Sequence, residues 1–199
     1  HKAVNKMHEM SFLIYNLVIF PMMAGILIVN DDFVQFFLGQ DFQDARYAIA
    51  IMIFRMFFIG WTNIMGIQIL IPHNRNKEFM ISTTAPAIIS VGLNLLFLPK
   101  LGYIGAAIVS VLTEALVWAI QLYFTHRYLK EVPIIGSMTK IILASAIMYG
   151  ILLGSKTVIH FSSTLNVLVF AVLGGIIYLF AILSLKVVDV KELKQIIKK

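Results

Sequence analysis

Apolar runs of about 20 residues recur along the whole chain, and they limit its fold more than any other feature. The runs cover residues 10–29, 47–71, 79–98, 104–124, 141–159 and 165–185. A helix of this length crosses the ~30 Å hydrocarbon core of a bilayer. With 60% hydrophobic and only 13% charged residues, the composition excludes an ordinary soluble domain. We therefore predict an all-α membrane protein whose residues 1–185 form six transmembrane helices.

The basic residues between the runs predict how the chain is oriented. Loops rich in Lys and Arg remain in the cytoplasm. Counted on alternating sides, twelve basic residues fall on one side and three on the other, the three being Arg46, Lys100 and Lys156. We expect both termini of this chain to be cytoplasmic. The net charge of +6 then reflects topology, and we expect no nucleic-acid partner.

Two segments outside the runs have an amphipathic pattern. Residues 32–39 predict a short interfacial helix that begins at Asp32 as N-cap and stops at Gly39; its function is membrane anchoring or an external gate. In residues 186–199, Val190, Leu193 and Ile197 share one helical stripe and lysines cover the other faces. Such a basic helix is expected to lie on anionic lipids of the cytoplasmic leaflet, or to bind a partner.

Arg55 is a permanently charged side chain inside the second apolar run. It follows Arg46 by nine residues, which places it ~13 Å along the helix from that boundary. An arginine at such depth costs roughly 2.5–3.5 kcal/mol and usually faces protein or a watery cavity. Two interpretations remain open: an ion pair that locks two helices, and a role in binding or coupling substrate.

Other polar residues in the runs also fall on common helical faces. Glu114, near the middle of the fourth run, is a candidate proton carrier, a partner for Arg55, or a neutral acid bonded to a helix backbone. Small and polar residues in the third run form a stripe that predicts either close helix packing or contact with water. The candidate cavity residues are Arg55, Thr62, Ser90, Asn94, Glu114 and Gln121.

Motifs for catalysis, metal binding and cofactor binding are missing from the sequence. There is no HExxH, GxSxG, Walker or dinucleotide pattern, and the chain has no cysteine. The five histidines are scattered over loops and ends, without a spacing suited to zinc. We expect a protein that is not an enzyme, with no metal and no cofactor.

Three stretches of the chain together form a recognisable pattern. The longest is GLNLLFLPKLGYIGAAIVSVLTE, residues 92–114, whose matching positions are Asn94, Pro99, Gly102, Gly105, Ala106, Ala107 and Glu114. The others are QILIPHNRNKEF, residues 68–79, which would be a helix end and a basic cytoplasmic loop, and FFLGQDF, residues 36–42. In their order and spacing these stretches resemble bacterial polysaccharide flippases of the multidrug/oligosaccharidyl-lipid/polysaccharide exporter superfamily.

The resemblance implies one six-helix lobe of a MATE-like transporter with two lobes related by pseudo-twofold symmetry. By this resemblance the chain would be the C-terminal lobe, and the N-terminal lobe would be its partner; a first residue of His1 rather than Met fits a missing N-terminal lobe. Members of the family move an oligosaccharide carried on undecaprenyl diphosphate to the outer leaflet of the bacterial cytoplasmic membrane, for surface polysaccharide synthesis. Their cavity is often cationic, and Arg55 would meet the diphosphate.

Two alternatives remain beside the flippase hypothesis. The first is a drug/cation antiporter of the same superfamily, in which acidic and aromatic cavity residues matter more than Arg55. The second is a membrane structural or assembly subunit without a transport path, in which Arg55 and Glu114 only pair to fix the order of helices.

Overall fold

The computed structural model describes residues 2–130, 132–157 and 162–187, and in these residues all regular structure is helical. The prediction of an all-α protein is confirmed. A 3-10 turn at Gln40–Phe42 precedes α2, and a π-helix at Ile64–Leu70 continues it. The long helices are α1 (Lys2–Phe37), α2 (Ala45–Asn63), α3 (Asn76–Leu129), α4 (Ile134–Lys156) and α5 (Ser163–Ser184).

The described residues contain five helical segments long and apolar enough to span a membrane, where six were predicted. The difference lies in α3, which contains both the third and the fourth predicted spans. A straight helix of its 54 residues would be ~80 Å long, far more than the ~30 Å that a bilayer needs. The backbone leaves the helical conformation at Gly102, with φ 54° and ψ −136°.

A hydrogen bond shows that α3 folds back on itself at Gly102. Gln121 Nε2 donates to Ser82 Oγ at 3.2 Å, although these residues lie 19 positions after and 20 positions before the glycine. We call residues 76–101 the first arm and residues 103–129 the second arm. Each arm is by itself long enough to cross the bilayer once.

Two glycines explain why the hairpin of α3 is so tight. Gly102 has a positive φ, a conformation that side chains with a Cβ rarely adopt. Gly105 packs against the backbone of the first arm, where a Cβ would lie 2.7 Å from the carbonyl oxygen of Phe97. Both positions belong to the stretch whose family resemblance is described above.

The predicted interfacial helix at residues 32–39 is wrong at its start. Asp32 lies inside α1, which runs without a break to Phe37, because residues 26–38 contain neither proline nor glycine. Its carboxylate is not an N-cap; it pairs with Lys156 instead, at 3.4 Å. The predicted stop agrees with the structure, where Gly39 has φ 89°.

α1 is the central helix of the bundle. On one side it packs with α4 and α5 in a cluster that includes Ile28, Ile141 and Phe170. On the other side Phe12 packs with Trp61 and Met65 of the α2 region. The two halves of the chain are therefore held together mainly through α1.

Pro21 interrupts the hydrogen bonds of α1, and α5 compensates for the lost donor. Because proline has no N–H, the carbonyl of Leu17, four residues earlier, lacks its helical partner. The hydroxyl of Tyr178 donates to that oxygen at 2.7 Å. Such a replacement is required inside a membrane, where no water is available to satisfy the carbonyl.

Contacts between loops and helix ends define the two ends of the bundle. At the Asp32 end, Tyr103 donates to the carbonyl of Asp44 at 3.2 Å, beside the Asp32–Lys156 pair. At the Arg75 end, Arg75 Nη1 donates to the carbonyl of Phe124 at 2.7 Å. The predicted basic helix at residues 186–199 lies outside the described residues, apart from its first two positions.

Candidate functional site

Arg55 of α2 and Glu114 of the second arm of α3 form an ion pair. Arg55 Nη2 lies 2.9 Å from Glu114 Oε1, so the packing of α2 on α3 places opposite charges in contact within the apolar spans. The two side chains are 37% and 19% exposed, respectively. In an environment of low dielectric constant, each charge lowers the cost of burying the other.

The guanidinium of Arg55 retains hydrogen-bonding capacity beyond this pair. Arginine carries five N–H donors, and the bond to Glu114 uses one nitrogen. Within the described residues, the buried Nε of Arg55 has no hydrogen-bond partner. With more than a third of the side chain exposed, another acceptor has room to approach. The pair thus agrees with the ion-pair interpretation and leaves the binding interpretation open.

Aromatic rings pack next to the ion pair, on its Arg75-end side. Trp118 follows Glu114 by one helical turn, and Phe58 follows Arg55 by three residues. The centroids of these two rings are 5.7 Å apart, and Trp61 lies 6.3 Å from Trp118. These rings form an apolar layer about one helical turn from the pair on that side.

Gln121, another predicted cavity residue, is enclosed by protein. It is buried between the two arms of α3, where it donates to Ser82. Gly66 lies against it, since a Cβ there would be 3.2 Å from Gln121 Nε2. Gln121 therefore holds helices together, and the prediction that it lines an open cavity has no support in its surroundings.

The other three predicted residues bond within their own helices. Thr62 is buried and donates to the carbonyl of Ile59 at 2.9 Å. On the first arm of α3, Ser90 donates to the carbonyl of Ala87 at 2.8 Å, and Asn94 Nδ2 donates to the carbonyl of Ser90 at 2.9 Å. Of the predicted set, only Arg55 and Glu114 make a direct polar contact between two different helices; Ser90 and Asn94 contact each other within one arm of α3.

A polar cluster at the Asp32 end was missed by the sequence analysis. Lys156 Nζ lies 3.4 Å from Asp32 Oδ2 and donates to the carbonyl of Ile28 at 2.7 Å. Asn166 Nδ2 donates to Asp32 Oδ1 at 3.0 Å. The cluster joins α1, α4 and α5. The sequence did contain a signal for this cluster. Asp32 follows the first apolar run and Lys156 lies near the end of the fifth, and both fall on the same predicted side of the membrane.

Two archaeal proteins are similar to this chain, whereas no family model and no solved structure matches it. An uncharacterized membrane protein of Methanocaldococcus jannaschii is 25% identical over 198 residues, covering 100% of this chain and 39% of the relative. A probable low-salt glycan biosynthesis flippase, Agl15 of Haloferax volcanii, is 22% identical over 170 residues, covering 81% of this chain and 34% of the relative.

The chain therefore spans between about a third and two fifths of the length of these relatives. Its apolar helices and these similarities agree on one class. The chain is a multi-pass membrane protein with distant similarity to a glycan biosynthesis flippase.

Proposed function

We propose that this chain is part of a flippase for lipid-linked oligosaccharides and that Arg55 binds the phosphate groups of the cargo. The observation that carries this proposal is the Arg55 side chain, 37% exposed between apolar helices and with hydrogen-bond donors that Glu114 does not use. The similarity to Agl15, itself named as a probable glycan biosynthesis flippase, supports the same class of cargo.

The chemistry of phosphate suits this site. The planar fork of arginine binds phosphate oxygens through two parallel hydrogen bonds, and such charge-assisted bonds are stronger where water is scarce. Without cargo, Glu114 neutralises Arg55 and reduces the cost of holding its charge in the membrane. A diphosphate carries more negative charge than one carboxylate, so it competes with Glu114 for the guanidinium.

Displacement of Glu114 offers a way to couple transport to an ion. A carboxylate that loses its cation partner inside a membrane needs another cation to replace it. We therefore assign Glu114 the role of releasing the cargo: when it regains Arg55, it expels the phosphate. The proton or sodium ion that it held leaves in the same step.

At the level of the whole transporter, this bundle is proposed as the C-terminal lobe of a two-lobe protein. The greater length of both relatives leaves room for a second lobe. Rocking of the lobes would give alternating access, with undecaprenyl diphosphate as carrier and the cytoplasmic membrane of a bacterium as location. Both termini of the chain are proposed to be cytoplasmic, with residues 186–199 on anionic lipids. Arg55 and Glu114 then act in binding and coupling, and no reaction is catalysed.

The ion pair itself favours a second candidate function. A bond of 2.9 Å between α2 and α3 is also what a structural or assembly subunit needs to fix the order of its helices. In that case the pair would tolerate exchange of its two charges, because only their attraction matters. A flippase would not tolerate it, since the cation must face the phosphate.

Replacement of Arg55 separates these functions. In cells, at equal protein levels, Arg55→Ala is expected to cause at least about tenfold accumulation of lipid-linked sugar on the cytoplasmic side. Arg46→Ala is the matched control, because Arg46 begins the same helix and pairs with Asp31 outside the apolar core. Normal flipping by Arg55→Ala would overturn the proposal. Full activity of the exchanged pair, Arg55→Glu with Glu114→Arg, would support the structural function.

A further inference from the structure

An apolar groove of about 470 Å³ runs along α1 and α5, separate from the Arg55–Glu114 pair. All of its lining side chains are apolar except Tyr178, whose hydroxyl is already bonded to Leu17. A ligand in this groove therefore has no polar group to contact along its length, and only hydrocarbon fits. The volume is that of a pocket for a small ligand.

Missing side chains create the groove. Gly25 of α1 and Gly175 of α5 both line it, and a Cβ at either position would meet no atom within 4 Å. Val18 and Met22, at its rim, are exposed and belong to the surface of α1 that is free of other helices. The groove is thus continuous with the lipid-facing surface of the bundle.

The length of the groove matches the thickness of one leaflet of a bilayer. On α5 its lining extends from Val167 to Tyr178, which is ~16 Å along a helix. One leaflet contributes about half of the ~30 Å hydrocarbon core. The contact between Tyr178 and Leu17 lies at the deep end of the lining, and the polar cluster of Asp32, Lys156 and Asn166 lies at the other end.

The charge at the shallow end of the groove suits a phosphate. Phe33 and Val167, which line the groove, directly follow Asp32 and Asn166 in the sequence. Within the Asp32–Lys156 pair, the lysine side chain is 30% exposed and the aspartate only 13%. The accessible partner is therefore the cation, at the depth where lipid headgroups lie.

We propose that this groove binds one hydrocarbon chain of a glycerophospholipid from the leaflet at the Asp32 end, with its phosphate near Lys156. The bound lipid fills the space between α1 and α5 that no side chain occupies. We regard it as a structural lipid. It exchanges more slowly than bulk lipid, and it is not the transported cargo.

A photoreactive phospholipid tests the site. The intact protein is reconstituted in vesicles that contain phosphatidylglycerol with a diazirine in one acyl chain, and the cross-linked peptides are mapped by mass spectrometry. We expect saturable cross-linking at about one lipid per protein, centred on α1 residues 18–29 and α5 residues 167–178. Gly25→Leu with Gly175→Leu, which fills the groove, should reduce cross-linking at least about fivefold.

Gly150→Leu is the matched control, because a side chain at this α4 position also meets no atom within 4 Å and Gly150 does not line the groove. It should leave the cross-linking unchanged. If the double variant does not fold, Ala171→Leu fills the groove from another lining position and takes its place. Cross-linking spread evenly over all exposed helix faces, or unaffected by filling the groove, would overturn the proposal. Protection of the groove from lipid, with cross-links to another protein segment, would overturn it too.

Discussion

Arg55 carries its positive charge at a depth where most arginines destabilise a membrane protein, and its surroundings explain why it is tolerated. Glu114 supplies a countercharge at 2.9 Å, while part of the guanidinium remains accessible. The pair is partly exposed and is therefore not sealed in the core. At the scale of single residues, this combination is the main evidence for a binding role.

The stability of the pair gives the first prediction for single residues. Glu114→Gln leaves the guanidinium without a carboxylate, and we expect it to lower the free energy of unfolding by about 1–2 kcal/mol, less than for a fully buried pair because both groups are partly exposed. The double variant Arg55→Gln with Glu114→Gln removes both charges and should recover most of that loss. Thermal unfolding of the purified protein in detergent measures both effects. Equal stability of Glu114→Gln and wild type would show that the pair contributes nothing.

The sequence was sufficient to single out Arg55 and Glu114, because charges in apolar runs are rare. It was not sufficient to show that they are in contact, since that depends on how α2 packs on α3. Gln121 shows the opposite limit. The sequence places Gln121 on a polar face of its helix. A polar face packed between two arms of a hairpin has the same sequence pattern as a polar face that lines a cavity, so the sequence could not distinguish the two.

Among the helices, α3 depends most on particular residues, because its two arms meet only if the chain turns sharply near Gly102. We predict that Gly105→Val prevents the close approach to the carbonyl of Phe97 and destabilises the protein by roughly 1–3 kcal/mol. Gly92→Val is the control, since a Cβ at Gly92 meets no atom within 4 Å. Chemical unfolding of the purified variants compares the two. A Gly105→Val protein as stable as Gly92→Val would contradict the hairpin geometry.

The positions of the helices were predictable from apolar runs, but their continuity was not. Hydropathy indicates which residues can lie in lipid, but it does not show where a helix ends. α1 continues beyond its predicted run to Phe37, and its backbone hydrogen bonds and the contacts of Asp32 stabilise this extension. The π-helix at Ile64–Leu70 leaves no signal in composition. Pro21 leaves the carbonyl of Leu17 without its helical partner, and the replacement by Tyr178 depends on how α5 packs against α1.

At the scale of the whole molecule, α1 connects two packing units, one with α4 and α5 and one with α2 and α3. The proposed cargo site belongs to the second unit and the proposed lipid site to the first. A lipid in the α1–α5 groove would therefore stabilise the bundle without competing for Arg55. The relatives are longer than this chain, and the proposed second lobe would complete the passage that Arg55 borders.

The central claim is that water reaches the region of Arg55 inside the membrane, and thiol labelling measures this directly. The chain has no cysteine, so a single one can be placed at Ile59, one turn from Arg55, or at Ile88, a site 68% exposed on the first arm of α3. Both lie near the middle of their spans, and Ile88 is expected to face lipid. We predict that a water-soluble methanethiosulfonate labels Ile59→Cys at least about tenfold faster than Ile88→Cys in the reconstituted intact protein. Equally slow labelling of both cysteines would show that Arg55 borders no hydrated passage.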